Sequence, residues 1–200
     1  EVFLPDALAA AETAVAMGVS PGQVMAAMPH APSIPGRAEL LWQGQGRTIM
    51  RDYAHTPDAL ERMLRSLRRV HGGRLLVLFG CGGCRDRKKR PMMAGAAARW
   101  ADGIVITDDN PRTEPPEEIR REIIRGLPKN ARWREIPDRR QAMEQTIAVM
   151  RQGDLLLLAG KGHEDYQIIM EKTVPFDEKE IVTEILKSGR IPWKNCHCEK

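Results

Sequence analysis

The sequence predicts an α/β fold: a mostly parallel, Rossmann-like sheet with helices on both faces and an antiparallel hairpin near the C-terminus. Two apolar runs of strand length, 75–79 and 155–159, are typical of central strands buried on both faces. The β-branched run Ile104-Val105-Ile106 has the same character. Helical segments alternate with these runs, and this alternation favours a parallel sheet covered on both sides.

The segment before the sheet predicts two helices. An alanine-rich stretch over 6–17 ends at a glycine, as helices commonly do. A Ser-Pro pair at 20–21 predicts the N-cap and first turn of a second helix that reaches about residue 28. Residues 31–36 contain two prolines and a glycine and are interpreted as a linker. The sequence therefore divides into three parts: two helices detached from their own core over 1–34, a main domain over 35–190 and a short tail over 191–200.

The main domain continues with a predicted hairpin of strands 39–42 and 48–50. Thr56 predicts the cap of a helix that reaches about residue 70. Further helices are predicted over 91–100, 116–126, 139–151 and 177–186. The remaining strands are predicted at 104–107, near Trp133, and in a second hairpin of 166–170 and 173–176.

Composition indicates a soluble globular protein, with 42% hydrophobic and 29% charged residues. No apolar run is long enough to span a membrane, and no secretory signal is visible at the first residues. The net charge of +4 is concentrated in clusters such as 85–90, but no aromatic residue is interleaved with that cluster. We therefore expect a protein that binds acidic small molecules, with neither a nucleic-acid nor a membrane partner.

Three polar loops directly follow the apolar strands, at 80–86, 108–112 and 160–164. Because ligands of open α/β sheets bind at the carboxyl ends of the strands, we expect these loops to converge there. The loop at 108–112, Asp-Asp-Asn-Pro-Arg, combines carboxylates, an amide and a guanidinium, which suits a ligand with ammonium and carboxylate groups, such as a free amino acid. The same residues are also ordinary turn formers.

The other two loops add complementary groups. Glycines at 80–83 allow backbone N–H groups to approach an anion, and Arg85 can bind a carboxylate. This loop lacks both the Walker A and the dinucleotide-binding spacing. Glu164 supplies a carboxylate for an ammonium group, whereas the neighbouring His163 is interpreted as a hydrogen-bonding scaffold residue rather than a general base.

Cys81 and Cys84 have the spacing of a zinc half-site or a redox pair, and Cys196-His197-Cys198 could complete a zinc site. Reduced thiols are the favoured interpretation, so no metal ligand is predicted. Asp52 could hold a metal or a ribose hydroxyl. Alternatively, it only caps the N-terminus of the helix that begins after Thr56.

Four motifs together resemble one family: Asp52-Tyr53-Ala54-His55-Thr56-Pro57-Asp58-Ala59-Leu60, the loop at 80–91, the loop at 108–112 and the segment 160–167. In order and spacing they resemble the C-terminal part of the Mur ligases, specifically the branch that adds meso-diaminopimelate in peptidoglycan synthesis. The resemblance covers about 35–186, and the two leading helices resemble the end of the family's central ATPase domain.

The resemblance implies a cytoplasmic enzyme of three domains, of which the N-terminal and central ones are missing here. They would hold the UDP-N-acetylmuramoyl dipeptide and ATP with Mg²⁺, and the last domain would deliver meso-diaminopimelate to an acyl phosphate. The implied substrate-binding residues are Arg85, Asp109, Asn110, Pro111, Arg112, Gly160 and Glu164. The implied residues on the nucleotide side are Arg37, Asp52 and His55; none is a certain catalytic group.

The chemistry agrees with this assignment, because diaminopimelate is zwitterionic at both ends. Arg85 and Arg112 would bind the distal carboxylate and Glu164 the distal ammonium, whereas lysine would leave a guanidinium unpaired. A ligase that adds lysine or glutamate, or a non-catalytic module that binds amino acids or nucleotides, remains an alternative. As an isolated piece, the chain is expected to bind the amino acid weakly and not to catalyse ligation.

The sequence departs from the family pattern at several positions. Cys84 stands where an acidic residue is usual, which loosens the expected orientation of Arg85. Phe3 and Asp6 stand where asparagines near the nucleotide are common, and Arg51 replaces an apolar residue. The tail has no counterpart in the family.

Overall fold

The structure is a computed structural model that describes residues 4–189. Phe3 and the cysteines and histidine at 196–198 lie outside the described residues. The chain divides into two compact units, 1–34 and 35–200.

The first unit is helical. Helix α1 spans Leu4–Ala16 and helix α2 spans Pro21–Ala27, followed by a 3-10 turn at Met28–His30. Ser20 caps α2 as predicted: its hydroxyl accepts a hydrogen bond from the Gln23 N–H, and the Ser20 N–H donates one to the Gln23 side-chain oxygen. No residue of α2 is buried.

The second unit is built on a six-stranded sheet in the order β1-β2-β6-β3-β4-β5. Strand β1 is antiparallel to β2, and all other neighbours are parallel. The strands are β1 Glu39–Gly44, β2 Arg47–Asp52, β3 Leu75–Phe79, β4 Gly103–Ile106, β5 Trp133–Glu135 and β6 Leu155–Ala159. Every residue of β3 and β6 is buried, as their apolar runs predict. These two strands therefore form the centre of the sheet.

Five helices accompany the sheet: α3 Pro57–Val70, α4 Lys89–Trp100, α5 Pro116–Ile124, α6 Arg139–Ala148 and α7 Glu178–Lys187. Helices α6 and α7 contribute Met143, Ile147 and Ile181 to a core with Leu156 and Leu158 of β6. Alternate residues of a strand point to opposite faces, so the remaining side chains of β3 and β6 face the other side. Helices α3, α4 and α5 pack side by side in the same unit. The mostly parallel α/β fold is confirmed.

The second hairpin, β7 Tyr166–Ile169 and β8 Lys172–Pro175, forms a separate antiparallel sheet, as predicted. Helix α6 ends three residues before the predicted boundary. The reason is a turn in which the Asp154 carboxylate accepts the Arg151 N–H at 2.6 Å and leads the chain into β6. No helix in the described part of the chain is long and apolar enough to cross a membrane.

Candidate functional site

The loops that follow β3, β4 and β6 line one cleft of about 530 Å³ at the carboxyl edge of the sheet. The predicted residues that line it are His55, Arg85, Asp109, Asn110, Arg112, Gly160 and Glu164. Tyr53, Gly80, Cys81, Gly82, Asp86, Lys89 and Tyr166 complete the lining. The three loops therefore converge as the order of strands and loops predicts.

Two guanidinium groups in the cleft lack a carboxylate partner among the described residues. Arg85 is exposed and makes no hydrogen bond or ion pair within 4–189. Arg112 donates through Nη1 to the backbone oxygens of Gly83, at 2.9 Å, and Asn110, at 3.4 Å. By contrast, the buried Arg90 and Arg139 both contact glutamates. The cleft thus offers two cations to an anionic ligand.

A carboxylate and an amide face the same cleft. Asn110 donates through Nδ2 to Glu164 Oε2 at 2.9 Å. Its Oδ1 accepts hydrogen bonds from the Ile168 N–H at 3.0 Å and from Lys161 Nζ at 3.3 Å. Because both donors lie on the Oδ1 side, the amide NH₂ must point to Glu164. Glu164 Oε1 has no partner among the described residues and can accept a ligand ammonium.

The loops after β3 and β4 are locked together at a glycine. The Gly83 N–H donates to Asn110 O at 2.9 Å. A Cβ at Gly83 would lie 1.9 Å from Pro111 O, a distance that no side chain could adopt without moving the backbone. Pro111 is buried and, although predicted to bind substrate, it does not line the cleft; its carbonyl instead packs against the glycine loop.

The hairpin β7–β8 holds the other side of the loop at 108–112. The Arg112 N–H donates to Ile168 O at 3.0 Å, and the Met170 N–H donates to Arg112 O at 2.8 Å. Gln167 Nε2 donates to Asp109 O at 3.0 Å. Arg112 adopts a left-handed backbone conformation, with φ 54°, which these contacts stabilise.

A buried ion-pair network supports the glycine loop from behind. Arg90, 0% exposed, contacts Glu114 and Glu122 at 2.7 Å and donates to Gly82 O at 3.2 Å. Glu114 also accepts the Cys84 N–H at 3.0 Å. Its hydrogen bonds with Arg90 lower the pKa of Glu114 to about 2, so this carboxylate is ionised at neutral pH.

The predicted nucleotide-side residues form a second group beside the cleft. The Arg37 guanidinium lies 5.0 Å from the Tyr53 ring centroid, and the His55 ring lies 4.6 Å from the same centroid. His55 Nδ1 is 2.8 Å from Tyr53 O, and Lys89 Nζ donates to His55 O at 2.8 Å. Of the predicted trio only His55 lines the cleft.

Asp52 has a structural environment. It is 3% exposed, and its two oxygens accept the N–H groups of Ala38 at 2.7 Å and Ala54 at 2.8 Å. Burial raises the pKa of Asp52, although these bonds oppose the shift. Asp52 does not line the cleft. Its hydrogen bonds instead hold the backbone at Ala38 and at Ala54, next to His55.

Two further side chains from the polar loops do not line the cleft. Asp108 forms an ion pair with Arg120, which also contacts Glu135 at 2.6 Å. His163 is exposed, and its ring lies 5.5 Å from the Tyr53 ring centroid. The first carboxylate of the loop at 108–112 therefore supports α5 and β5 instead of facing a ligand.

The two cysteines of the glycine loop have different surroundings. Cys81 is 3% exposed, with its sulfur 3.6 Å from Met93 Sδ, and burial raises its pKa to about 12. Cys84 is exposed, with its sulfur 3.2 Å from Thr113 Oγ1. No group of three or more histidine, cysteine, aspartate or glutamate side chains within 4–189 is arranged to hold a metal ion.

Four residues of the site were not predicted from the sequence: Lys161, Lys89, Tyr53 and Tyr166. Lys161 is fully buried beneath Asp109 and Asn110, yet a lysine between two glycines in a polar loop predicts a solvent-exposed side chain. Its position two residues after a wholly buried strand was the available signal. The contacts of Tyr166 with Lys161 depend on where the hairpin packs. The local sequence predicts the hairpin but not its position beside the cleft.

Comparison with known proteins places this chain in a family. The model for "Mur ligase, glutamate ligase domain" matches residues 36–162. The UDP-N-acetylmuramoyl-L-alanyl-D-glutamate–2,6-diaminopimelate ligase of Syntrophomonas wolfei is 44% identical over 188 residues, covering 93% of this chain and 38% of the relative. The ligase of the same name from Thermosynechococcus vestitus is 47% identical over 180 residues, covering 87% and 36%.

Solved structures give the same result. A structure of a UDP-N-acetylmuramoyl-L-alanyl-D-glutamate–2,6-diaminopimelate ligase superposes with a TM-score of 0.74 at 38% identity, covering 90% of this chain and 37% of that one. The UDP-N-acetylmuramate-alanine ligase of Thermotoga maritima, at 21% identity, shares the fold alone, with a TM-score of 0.59 over 80% and 34% of the two chains. The chain spans little more than a third of the length of these relatives. This protein chain belongs to the Mur ligase family and carries its glutamate ligase domain.

Proposed function

We propose that this chain is the amino-acid-binding part of an ATP-dependent ligase that adds meso-diaminopimelate to UDP-N-acetylmuramoyl-L-alanyl-D-glutamate in peptidoglycan synthesis. One observation carries the proposal: Arg85 and Arg112, without carboxylate partners among the described residues, line the same cleft as Glu164. The names of its relatives support the same substrate pair.

The cleft would recognise the distal end of the amino acid. Arg85 and Arg112 bind its carboxylate, because guanidinium groups form short, charge-assisted hydrogen bonds with carboxylates. Glu164 Oε1 accepts its ammonium, while Asn110 and the backbone at Gly160 border the same space. Asp109 lies alongside, paired with Lys161. The amino group at the other end is left free to react.

That free amine attacks the carbonyl carbon of an acyl phosphate on the glutamate of the acceptor. The new C–N bond forms as the C–O bond to phosphate breaks, and the amine loses a proton. ATP supplies the phosphoryl group. We infer that Arg37 and His55 face the nucleotide, whereas Asp52 supports them through Ala38 and Ala54. Mg²⁺ and most of the ATP would be held by the central domain, as the resemblance to the family implies.

We further propose that residues 1–34 are the last helices of that central domain, and that 35–190 form the domain described above. The partners of this unit would then be the N-terminal and central domains of the same enzyme. The site of action would be the cytoplasm, where the nucleotide-linked substrate and ATP are present together.

A phosphate-release assay tests the proposed function. The upstream two-thirds of the Syntrophomonas wolfei relative would be joined ahead of this chain, and meso-diaminopimelate, lysine and glutamate compared as substrates. We expect release that depends on meso-diaminopimelate and on ATP with Mg²⁺. A preference for lysine or glutamate would assign the chain to another ligase. Binding without turnover by any of the three would favour a non-catalytic module. The matched control is Lys129→Met, an exposed lysine outside the cleft.

A further inference from the structure

Lys161 is a completely buried cation that lies directly beside the carboxylates of the cleft. Its side chain is 0% exposed, and Nζ donates to Tyr166 O at 2.6 Å. The rings of Tyr166 and Phe176 have centroids 5.8 and 5.9 Å from Nζ. An ammonium removed from water in this way must be compensated by nearby anions and acceptors.

The compensating groups are the residues of the cleft. Nζ lies 3.2 Å from Asp109 Oδ1 and 3.6 Å from Glu164 Oε2, so one ammonium bridges two carboxylates from different loops. It also donates to Asn110 Oδ1 at 3.3 Å. Asp109 Oδ1 is buried and makes no hydrogen bond, so the Lys161 charge is its main compensation among the described residues.

These contacts determine what the cleft presents to a ligand. Two neighbouring carboxylates repel each other unless a cation lies between them. Lys161 removes that repulsion and engages the Oε2 side of Glu164, which leaves Oε1 for the ligand. Together with Ile168 N–H, it also fixes the Asn110 amide in the orientation that binds Glu164.

We propose that Lys161 is the positioning residue of the amino-acid site: it holds Asp109, Asn110 and Glu164 in the arrangement that binds the ligand ammonium, without contacting the ligand itself. This inference rests on the proposed function. It predicts that removing the charge makes the cleft more negative by one unit. Diaminopimelate, with two carboxylates and no net charge, then loses more affinity than lysine, which carries a net positive charge.

The test is calorimetric titration of the 200-residue chain with meso-diaminopimelate and with L-lysine. Lys161→Met should weaken diaminopimelate binding at least about tenfold and reduce the preference for it over lysine. Lys161→Arg, which keeps the charge, should restore part of the affinity. Added ethylammonium should restore binding to Lys161→Ala, because the ion can occupy the vacated position. Lys129→Met should behave as the unchanged chain.

The outcomes separate this inference from the proposed function. If the unchanged chain binds no diaminopimelate at millimolar concentration, the proposed function fails and this inference with it. If it binds, the positioning role alone is overturned in either of two cases. Lys161→Met binds as well as the unchanged chain, or it loses affinity for both amino acids alike and ethylammonium does not restore binding to Lys161→Ala. If Lys161→Met does not fold, the double variant Lys161→Met/Asp109→Asn replaces it, because removing both charges leaves no unpaired carboxylate at Asp109. Its affinity is compared with that of the single variant Asp109→Asn. A further loss of diaminopimelate binding supports the role, and equal binding contradicts it.

Discussion

Replacing Arg112 with alanine should remove the preference for diaminopimelate over lysine. Arg112 uses Nη1 on the backbone oxygens of Gly83 and Asn110, so Nη2 and Nε remain for a ligand carboxylate. A hydrogen bond to a charged group contributes roughly 1.5–3 kcal/mol, and two such bonds would contribute about 3 kcal/mol or more. This corresponds to a loss of roughly 100-fold in affinity for diaminopimelate.

Lysine lacks the distal carboxylate and loses none of that energy. Both ligands would share the smaller effect of losing the Arg112 bond to Gly83 O, about 1 kcal/mol, because the glycine loop is then less restrained. Combining the two proteins, unchanged and Arg112→Ala, with the two ligands, diaminopimelate and lysine, gives a double-mutant cycle. The affinities are measured by calorimetry on this chain, and kcat/KM is measured in the enzyme with upstream domains restored. Arg134→Ala, on the exposed strand β5, is the control. Equal losses for both amino acids would refute the carboxylate role of Arg112.

Three further predictions concern the support of the site. Gly83→Ala should lower the free energy of unfolding by about 1–3 kcal/mol and weaken diaminopimelate binding, because the new Cβ would lie 1.9 Å from Pro111 O. Thermal melts and calorimetric titration measure the two effects. Gly72→Ala, which has open space around it, is the control and should change neither stability nor binding. Glu114 has a pKa lowered from 4.5 to about 2, so it contributes stability that is complete above pH 4.5 and lost as the pH falls through 2. Glu114→Gln should therefore reduce the acid dependence of unfolding between pH 5 and 2, and an unaltered acid dependence would contradict the ion pair with Arg90. Cys84 should react with iodoacetamide at neutral pH while Cys81, buried and with a pKa of about 12, should not; peptide mass spectrometry that finds Cys81 labelled first in the folded chain would exclude this arrangement.

The strands at the centre of the fold could be predicted from sequence because their signal is local. Strands β3 and β6 have the predicted bounds, since an uninterrupted apolar run of five residues is typical of a strand buried on both faces. The end of α6 could not be predicted, because it depends on the Asp154 side chain closing a turn. Local patterns therefore determine the kind of element more reliably than its ends.

The candidate site divides in the same way. The positions of Arg85, Arg112 and Glu164 follow from a general rule, that loops at the carboxyl ends of parallel strands converge. The buried position of Lys161 does not, because it depends on contacts with loops and a hairpin that fold around it. Likewise the sequence gives no sign that Asp108 pairs with Arg120 while its neighbour Asp109 lines the cleft.

The central claim is that one cleft binds a doubly zwitterionic amino acid through Arg85, Arg112 and Glu164. Titration of the ¹⁵N-labelled chain with meso-diaminopimelate, followed by NMR of the backbone amides, tests it most directly. We predict saturable shifts concentrated at Arg85, Asn110, Arg112, Gly160 and Glu164, with smaller shifts at equal concentrations of lysine. An unchanged spectrum at millimolar diaminopimelate, or shifts confined to residues outside the cleft, would contradict the account.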